Sequence, residues 1–206
     1  MLNALPKHQG RFESVQKYKE HYISFEVESE YAKDEMGETR PTQIDALILA
    51  KDKVGKLWLI VMEWKYTESY GPQSEYTEER GKRYNNLISE LGCFSKRADT
   101  DTSFYINPFH QLMRQTLWAK LHTLQKCTDK ELKADEYLHL FVSPKENKAL
   151  HTPNRRNKSL VNEHRLSRWG EELLADPNRF ISISPQELVA DFIDDQHKEY
   201  LTERYW

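Results

Sequence analysis

Apolar residues fall along this chain in short blocks, and the period of the pattern changes from block to block. The densest blocks are Ile44-Asp45-Ala46-Leu47-Ile48-Leu49 and Trp58-Leu59-Ile60-Val61-Met62, separated by the polar Lys51-Asp52-Lys53-Val54-Gly55-Lys56. Two aliphatic runs around a polar turn predict a β-hairpin with largely buried strands. Before it, Phe12, Val15 and Tyr18 recur at helical spacing and predict a short helix from Arg11 to about Lys19, after a loose start over 1–10. From His21 to Tyr31 the pattern alternates. Ile23, Phe25 and Val27 form one face, and Ser24, Glu26, Glu28 and Glu30 form an acidic one, as in a strand.

Beyond the hairpin, Gly71-Pro72 marks a break. Residues 74–92 are highly charged, with Tyr84, Leu87, Ile88 and Leu91 as sparse apolar positions, which predicts an exposed helix ended by Gly92. Residues 95–103 read as a polar loop. Asn107-Pro108 reads as a helix start, a side-chain cap followed by proline at the first helical position. The helix it opens carries Phe109, Leu112, Met113, Leu117, Leu121 and Leu124 on its inner stripe. Glu136–Ser143 is a further buried strand, and 144–159 a long polar loop. Val161–Ala175 reads as helix and Phe180–Ile183 as a short strand. Ser184 with Glu187 has capping-box character and opens a final helix running to about Arg204. The order is helix, three strands, helix, strand, helix, strand, helix, a mixed α/β domain.

Composition narrows the picture without deciding it. The 206 residues suffice for one sizeable domain, are 31% charged, and sum to a formal charge of −3. Any nucleic-acid site must therefore be a local patch. The two cysteines, Cys93 and Cys127, lack metal-ligand spacing and read as reduced thiols of a cytoplasmic protein. No signal peptide opens the chain, and no apolar run approaches a membrane span.

Three ionisable residues interrupt the hairpin's apolar runs: Asp45, Glu63 and Lys65. With the turn centred near Val54, paired positions sum to about 108, which sets Asp45 across from Glu63. Alternation puts Glu63 and Lys65 on one face and Trp64 on the other. Two carboxylates close together repel, and a cation between them relieves the repulsion. Hard cations such as Mg²⁺ (or Mn²⁺) take oxygen ligands and are often held by one or two carboxylates plus substrate phosphate. Asp45, Glu63 and the Trp64 carbonyl could supply those oxygens. Lys65 could orient or deprotonate a water and stabilise charge building on phosphate. That set of groups suits in-line hydrolysis of a phosphodiester.

Asp45 with Glu63-Trp64-Lys65, set on a hairpin preceded by a helix and a strand and followed by a helix and a strand, resembles the PD-(D/E)xK nuclease superfamily. More narrowly, Pro41-Thr42-Gln43-Ile44-Asp45-Ala46, Glu63-Trp64-Lys65-Tyr66-Thr67-Glu68 and Asn107-Pro108-Phe109-His110-Gln111-Leu112-Met113-Arg114-Gln115 are similar to a bacterial branch of it. The resemblance covers roughly residues 22 to 145. It implies a restriction-endonuclease-like mixed β-sheet flanked by helices, an α-β-β-β-α-β core over about 11–145 with a C-terminal α/β extension over 146–206, in one domain spanning 1–206. It implies Asp45 and Glu63 as metal ligands and Lys65 as the group serving the water. Gln111 would match a glutamine that some branches place near the site, although a plain exposed helix position fits it equally. Ile44, not proline, precedes Asp45. No Ser-Ser-Gln segment or first-helix acid is evident, so Glu20 or a strand glutamate, Glu28 in first place, would have to substitute.

Each of these positions also has a bland reading. Asp45, Glu63 and Lys65 could form an ordinary ion-pair network, though burying such a cluster is costly. The acidic face of the second element could simply be solvated. Arg114 and Gln115 read as surface positions, Tyr66 and Tyr70 as packing residues at the site margin, and His110, His122 and His139 show no zinc spacing. Arg114 on the helix opened by Asn107-Pro108, and Lys145, Lys148, Arg155, Arg156 and Lys158 in the 144–159 loop, a loop otherwise merely solvated, are candidate phosphate contacts. The expectation is a Mg²⁺-dependent nuclease, with DNA ahead of RNA, no membrane partner, and a homodimer left open. The alternative is a catalytically inactive domain of the same fold that binds nucleic acid or protein.

Overall fold

β4 (Leu57–Trp64) runs through the middle of the sheet, and the other strands are placed by it. The computed structural model describes residues 1–28, 41–68, 70, 73–95, 102–127, 129, 131–147, 166–190 and 193–205. β3 (Gln43–Asp52) pairs with β4 antiparallel, and every pair from Ala46–Met62 to Lys51–Leu57 sums to 108. On its other side β4 runs parallel to β5 (Glu136–Val142), which runs parallel to β6 (Phe180–Ile183). β1 (Phe12–Gln16) and β2 (Ser24–Glu28) lie end to end along the outer edge of β3, Gln16 opposite Leu49 and Ser24 opposite Leu47. The sheet is six-stranded, mixed and flanked by helices, which is the restriction-endonuclease-like arrangement.

Both faces of the sheet are buried. On one, Leu47, Leu49, Leu59, Val61, Tyr137 and Phe141 pack against α1 (Glu78–Leu91) and α2 (Phe109–Thr123). On the other, Ala46, Ile48, Ile60, Met62, Leu138 and Leu140 meet Leu2, Leu5 and Phe12 from the N-terminus and Leu188 of α3 (Pro185–Val189). The first ten residues are therefore not a loose start. A 3-10 turn (Leu2–Ala4) delivers two core leucines, and Asn3 exchanges two hydrogen bonds with the Phe12 backbone at 2.7 and 2.8 Å.

The expected first helix is β1 instead. Phe12, Val15 and Tyr18 do not share a face: Phe12 packs in one core, Tyr18 in the other, and Val15 is exposed. A register shift between Phe12 and Ser14 resets the alternation, so strand residues fall by accident at helical spacing. In β2 the expected apolar face also breaks. Val27 packs on the core, while Phe25 is 71% exposed, because Glu26 between them takes a positive φ of 49°.

α1 begins at Thr77, whose hydroxyl accepts the Arg80 N–H at 3.1 Å, and ends on Gly92 at φ 62°. It is not an exposed helix, because Tyr84, Ile88 and Leu91 are buried against the sheet. In α2 the residue at the N-cap is Pro108, so Asn107 stands one position too early to cap as expected. Phe109, Leu112, Met113 and Leu117 are fully buried, each worth roughly 1.5–3 kcal/mol of burial. Leu124 lies past the last turn and is 41% exposed rather than on the inner stripe. Of the expected helix over 161–175, Leu166–Arg168 is helical and passes into a π-turn, Trp169–Leu173. The capping box is present, with Ser184 Oγ accepting from the Glu187 N–H at 3.2 Å and Glu187 from the Ser184 N–H at 3.0 Å. The final helix is two pieces. Asp194 accepts the His197 N–H at 2.8 Å and starts α4 (Asp195–Tyr205) afresh.

Candidate active site

Extending the β3–β4 register by one pair brings Asp45 beside Glu63, at the end of β4 where β5 runs alongside. Asp45 Oδ2 accepts the Trp64 N–H at 2.7 Å, so the acid is fixed by backbone beside Glu63. Glu63 is 2% exposed and Lys65 7% exposed. The Lys65 amine donates to Glu63 Oε1, and its own N–H donates to the Val142 carbonyl at 2.8 Å, carrying the ladder past the strand end.

Gln115 of α2 binds the other carboxylate oxygen. It is 3% exposed, and its Nε2 donates to Glu63 Oε2 and to the Gln43 carbonyl at 3.0 Å. The surface reading of Gln115 is thus wrong: it stands three residues after Leu112 and four before Ala119, on the buried stripe. Behind it, His139 Nε2 donates to Gln115 Oε1 at 2.9 Å, and the Thr116 hydroxyl donates to His139 Nδ1 at 3.2 Å. His139 belongs to the site through Gln115. The sequence offers one hint, an imidazole inside the apolar Leu138-His139-Leu140-Phe141, but not its partner.

On the open side, the Tyr70 hydroxyl donates to Gln111 Oε1 at 3.0 Å, and the Lys65 ammonium is near enough to act against the rise that burial gives that hydroxyl. Tyr70 thus stands between Gln111 and the Lys65 side of the site and is more than packing. A cleft of about 370 Å³ opens beside these groups, lined by Glu28, Pro41, Thr42, Gln43, Gln111, Arg114 and Gln115.

The charges follow from burial. Desolvation pushes the Glu63 carboxyl up, the Lys65 ammonium pulls it back only in part, and the Asp45 carboxylate adds to the rise. Burial would push the Lys65 amine down, but the Glu63 carboxylate against it outweighs this and holds it above its ordinary value. Lys65 is thus a firmly held ammonium. Burial lowers His139 to about 3, so its ring is neutral.

The donor set is all oxygen, Asp45 and Glu63, which fits a hard divalent cation and not zinc. Among the described residues no three His, Cys, Asp or Glu side chains form a metal-holding group. Glu28 does not complete one. It sits at the cleft rim, accepting from Gln43 Nε2 at 2.7 Å. Glu20 is exposed, in the bend between β1 and β2. Of the candidate phosphate contacts, Arg114 lines the cleft and Lys145 pairs with Glu187 at 2.5 Å. Lys148, Arg155, Arg156 and Lys158 lie outside the described residues. Cys93 and Cys127 are buried free thiols, and burial pushes Cys93 up to about 12. No described helix is long and apolar enough to cross a membrane.

A family model described as Restriction Endonuclease associating with ARP matches residues 1–206. No curated protein and no solved structure matches the chain.

Proposed function

The chain belongs to this restriction-endonuclease family, and from that premise we propose that it is a metal-dependent nuclease of the PD-(D/E)xK type, with DNA as substrate ahead of RNA. The observation that carries the reading is the Asp45–Glu63 pair with Lys65 in contact, set at a strand end beside a cleft. Mg²⁺ or Mn²⁺ held by Asp45 and Glu63, with the Trp64 carbonyl as a further oxygen, would polarise the phosphoryl oxygen and acidify a bound water. Lys65 is held protonated, so its part is to donate, orienting the water and balancing charge on the phosphate, rather than to take a proton. Gln111 and Tyr70 hold the Lys65 side of the site, and Arg114 at the rim offers a backbone-phosphate contact.

The test is cleavage of defined DNA and RNA with added Mg²⁺ or Mn²⁺. Asp45→Asn and Glu63→Gln keep shape and remove charge. Each is expected to lower metal-dependent cleavage on the order of 100-fold or more, with near-UV circular dichroism unchanged. One observation favours a second reading: both oxygens of Glu63 already have partners, Lys65 and Gln115. A wild-type chain that binds nucleic acid yet cuts none with either metal would be an inactive module of the same fold.

A further inference from the structure

We propose that His139 is a positioning residue: acting through Gln115, it fixes the orientation of the Glu63 carboxylate. Where this bears on metal binding, it rests on the nuclease reading above.

A fully buried imidazole is a costly way to fill space. Next to Phe180, whose ring lies 5.9 Å away at right angles, a leucine or phenylalanine would pack with less desolvation. What the imidazole adds is its two nitrogens, and both are engaged. A neutral ring has one donor and one acceptor, and a primary amide has two donors on nitrogen and an accepting oxygen. The Gln115 amide gives its hydrogens to the Gln43 carbonyl and the Glu63 carboxylate, and its oxygen takes the His139 Nε2–H. Reversed, that amide would face oxygen to two acceptors and its NH₂ to an N–H. Because the Gln115 oxygen can only accept, the ring proton lies on Nε2, and Nδ1 is left to accept from the Thr116 hydroxyl. The chain Thr116→His139→Gln115→Glu63 thus has one direction throughout. Its end point is Glu63 Oε2, which leaves Oε1 towards Lys65.

The experiment compares wild type, His139→Phe and His139→Gln, the last restoring a donor near the Nε2 position. Partners of metal-binding side chains are typically worth 10–100-fold in metal affinity. Calorimetry is expected to show Mg²⁺ binding weakened 10–100-fold in His139→Phe and largely restored in His139→Gln, with cleavage falling in kcat and not in substrate KM. Independently of metal, ¹⁵N spectra of the wild-type ring should show the neutral Nε2–H tautomer. The Glu63 carboxyl ¹³C resonance, read at one pH, should move in the Phe variant and return in the Gln variant. A folded His139→Phe with wild-type Mg²⁺ affinity and an unmoved Glu63 resonance overturns the proposal. If wild type binds no Mg²⁺ at all, the nuclease reading fails, and the relay is decided by the resonances alone. If His139→Phe does not fold, Thr116→Val is read in the same way, since it keeps the ring and removes the donor to Nδ1.

Discussion

At the scale of single residues, buried polar groups carry the information, and each answers for its own burial. Asp52 falls in the polar turn of the hairpin, yet it is buried. Its Oδ1 accepts the Val54 and Lys56 N–H groups at 3.0 and 2.9 Å, and its Oδ2 accepts from Trp58 Nε1 at 2.9 Å. Burial would raise this carboxyl, and the three donors outweigh it and hold it below its ordinary value. Asp52→Ala strands a buried indole N–H and unties the hairpin turn. A loss of about 2–4 kcal/mol is expected in urea denaturation, without change at the candidate-site end of the strands. His139 makes a second, pH-dependent case. Its folded value of about 3 lies below the 6.5 of an unfolded histidine, so the unfolded chain takes up its proton first. Stability from this group is therefore complete above about pH 6.5 and falls towards pH 3, at up to about 1.4 kcal/mol per pH unit. Between pH 6.5 and 5 the wild type should lose stability more steeply than His139→Phe; parallel curves would show the ring already protonated. Asp45, Glu63 and Lys65 were legible because charge inside an aliphatic run is conspicuous. Gln115 and His139 were not, because their meaning lies in partners 52 and 24 residues away.

At the scale of elements, legibility tracked regularity. The hairpin, β5, β6 and α2 follow from period, because each buries a face that its own sequence declares, and the Ser184 capping box follows from cap chemistry. β1 was misread because a register shift breaks alternation within five residues. The break before α4 was missed because Asp194 looks like one more charge on a polar helix until its carboxylate is seen on the His197 N–H. The ends of α1 and α3 are testable by small changes. Gly92 ends α1 in the left-handed region, and a Cβ there meets nothing within 4 Å, so Gly92→Ala is strained in backbone alone. It should cost about 1 kcal/mol, and Ser184→Ala a similar amount through the lost cap. Each would appear as a fall in Tm of roughly 2–4 °C; no fall for Gly92→Ala would mean the helix ends elsewhere.

At the scale of the whole molecule, two cores share one sheet, and the candidate site belongs to only one of them. Leu5 packs on the sheet face opposite α2, whereas Glu63 meets Gln115 of α2. Leu5→Ala should cost about 2–5 kcal/mol in global stability. Cleavage per folded molecule at saturating substrate should stay unchanged; a parallel fall would mean the two layers communicate. The middle strand joins those layers. β4 has neighbours along both edges and buried side chains above and below, and it carries the acid and the lysine at its end. Amide hydrogens there are therefore expected to be among the last to exchange, and the acid and lysine at its end to hold their positions for as long as the sheet does.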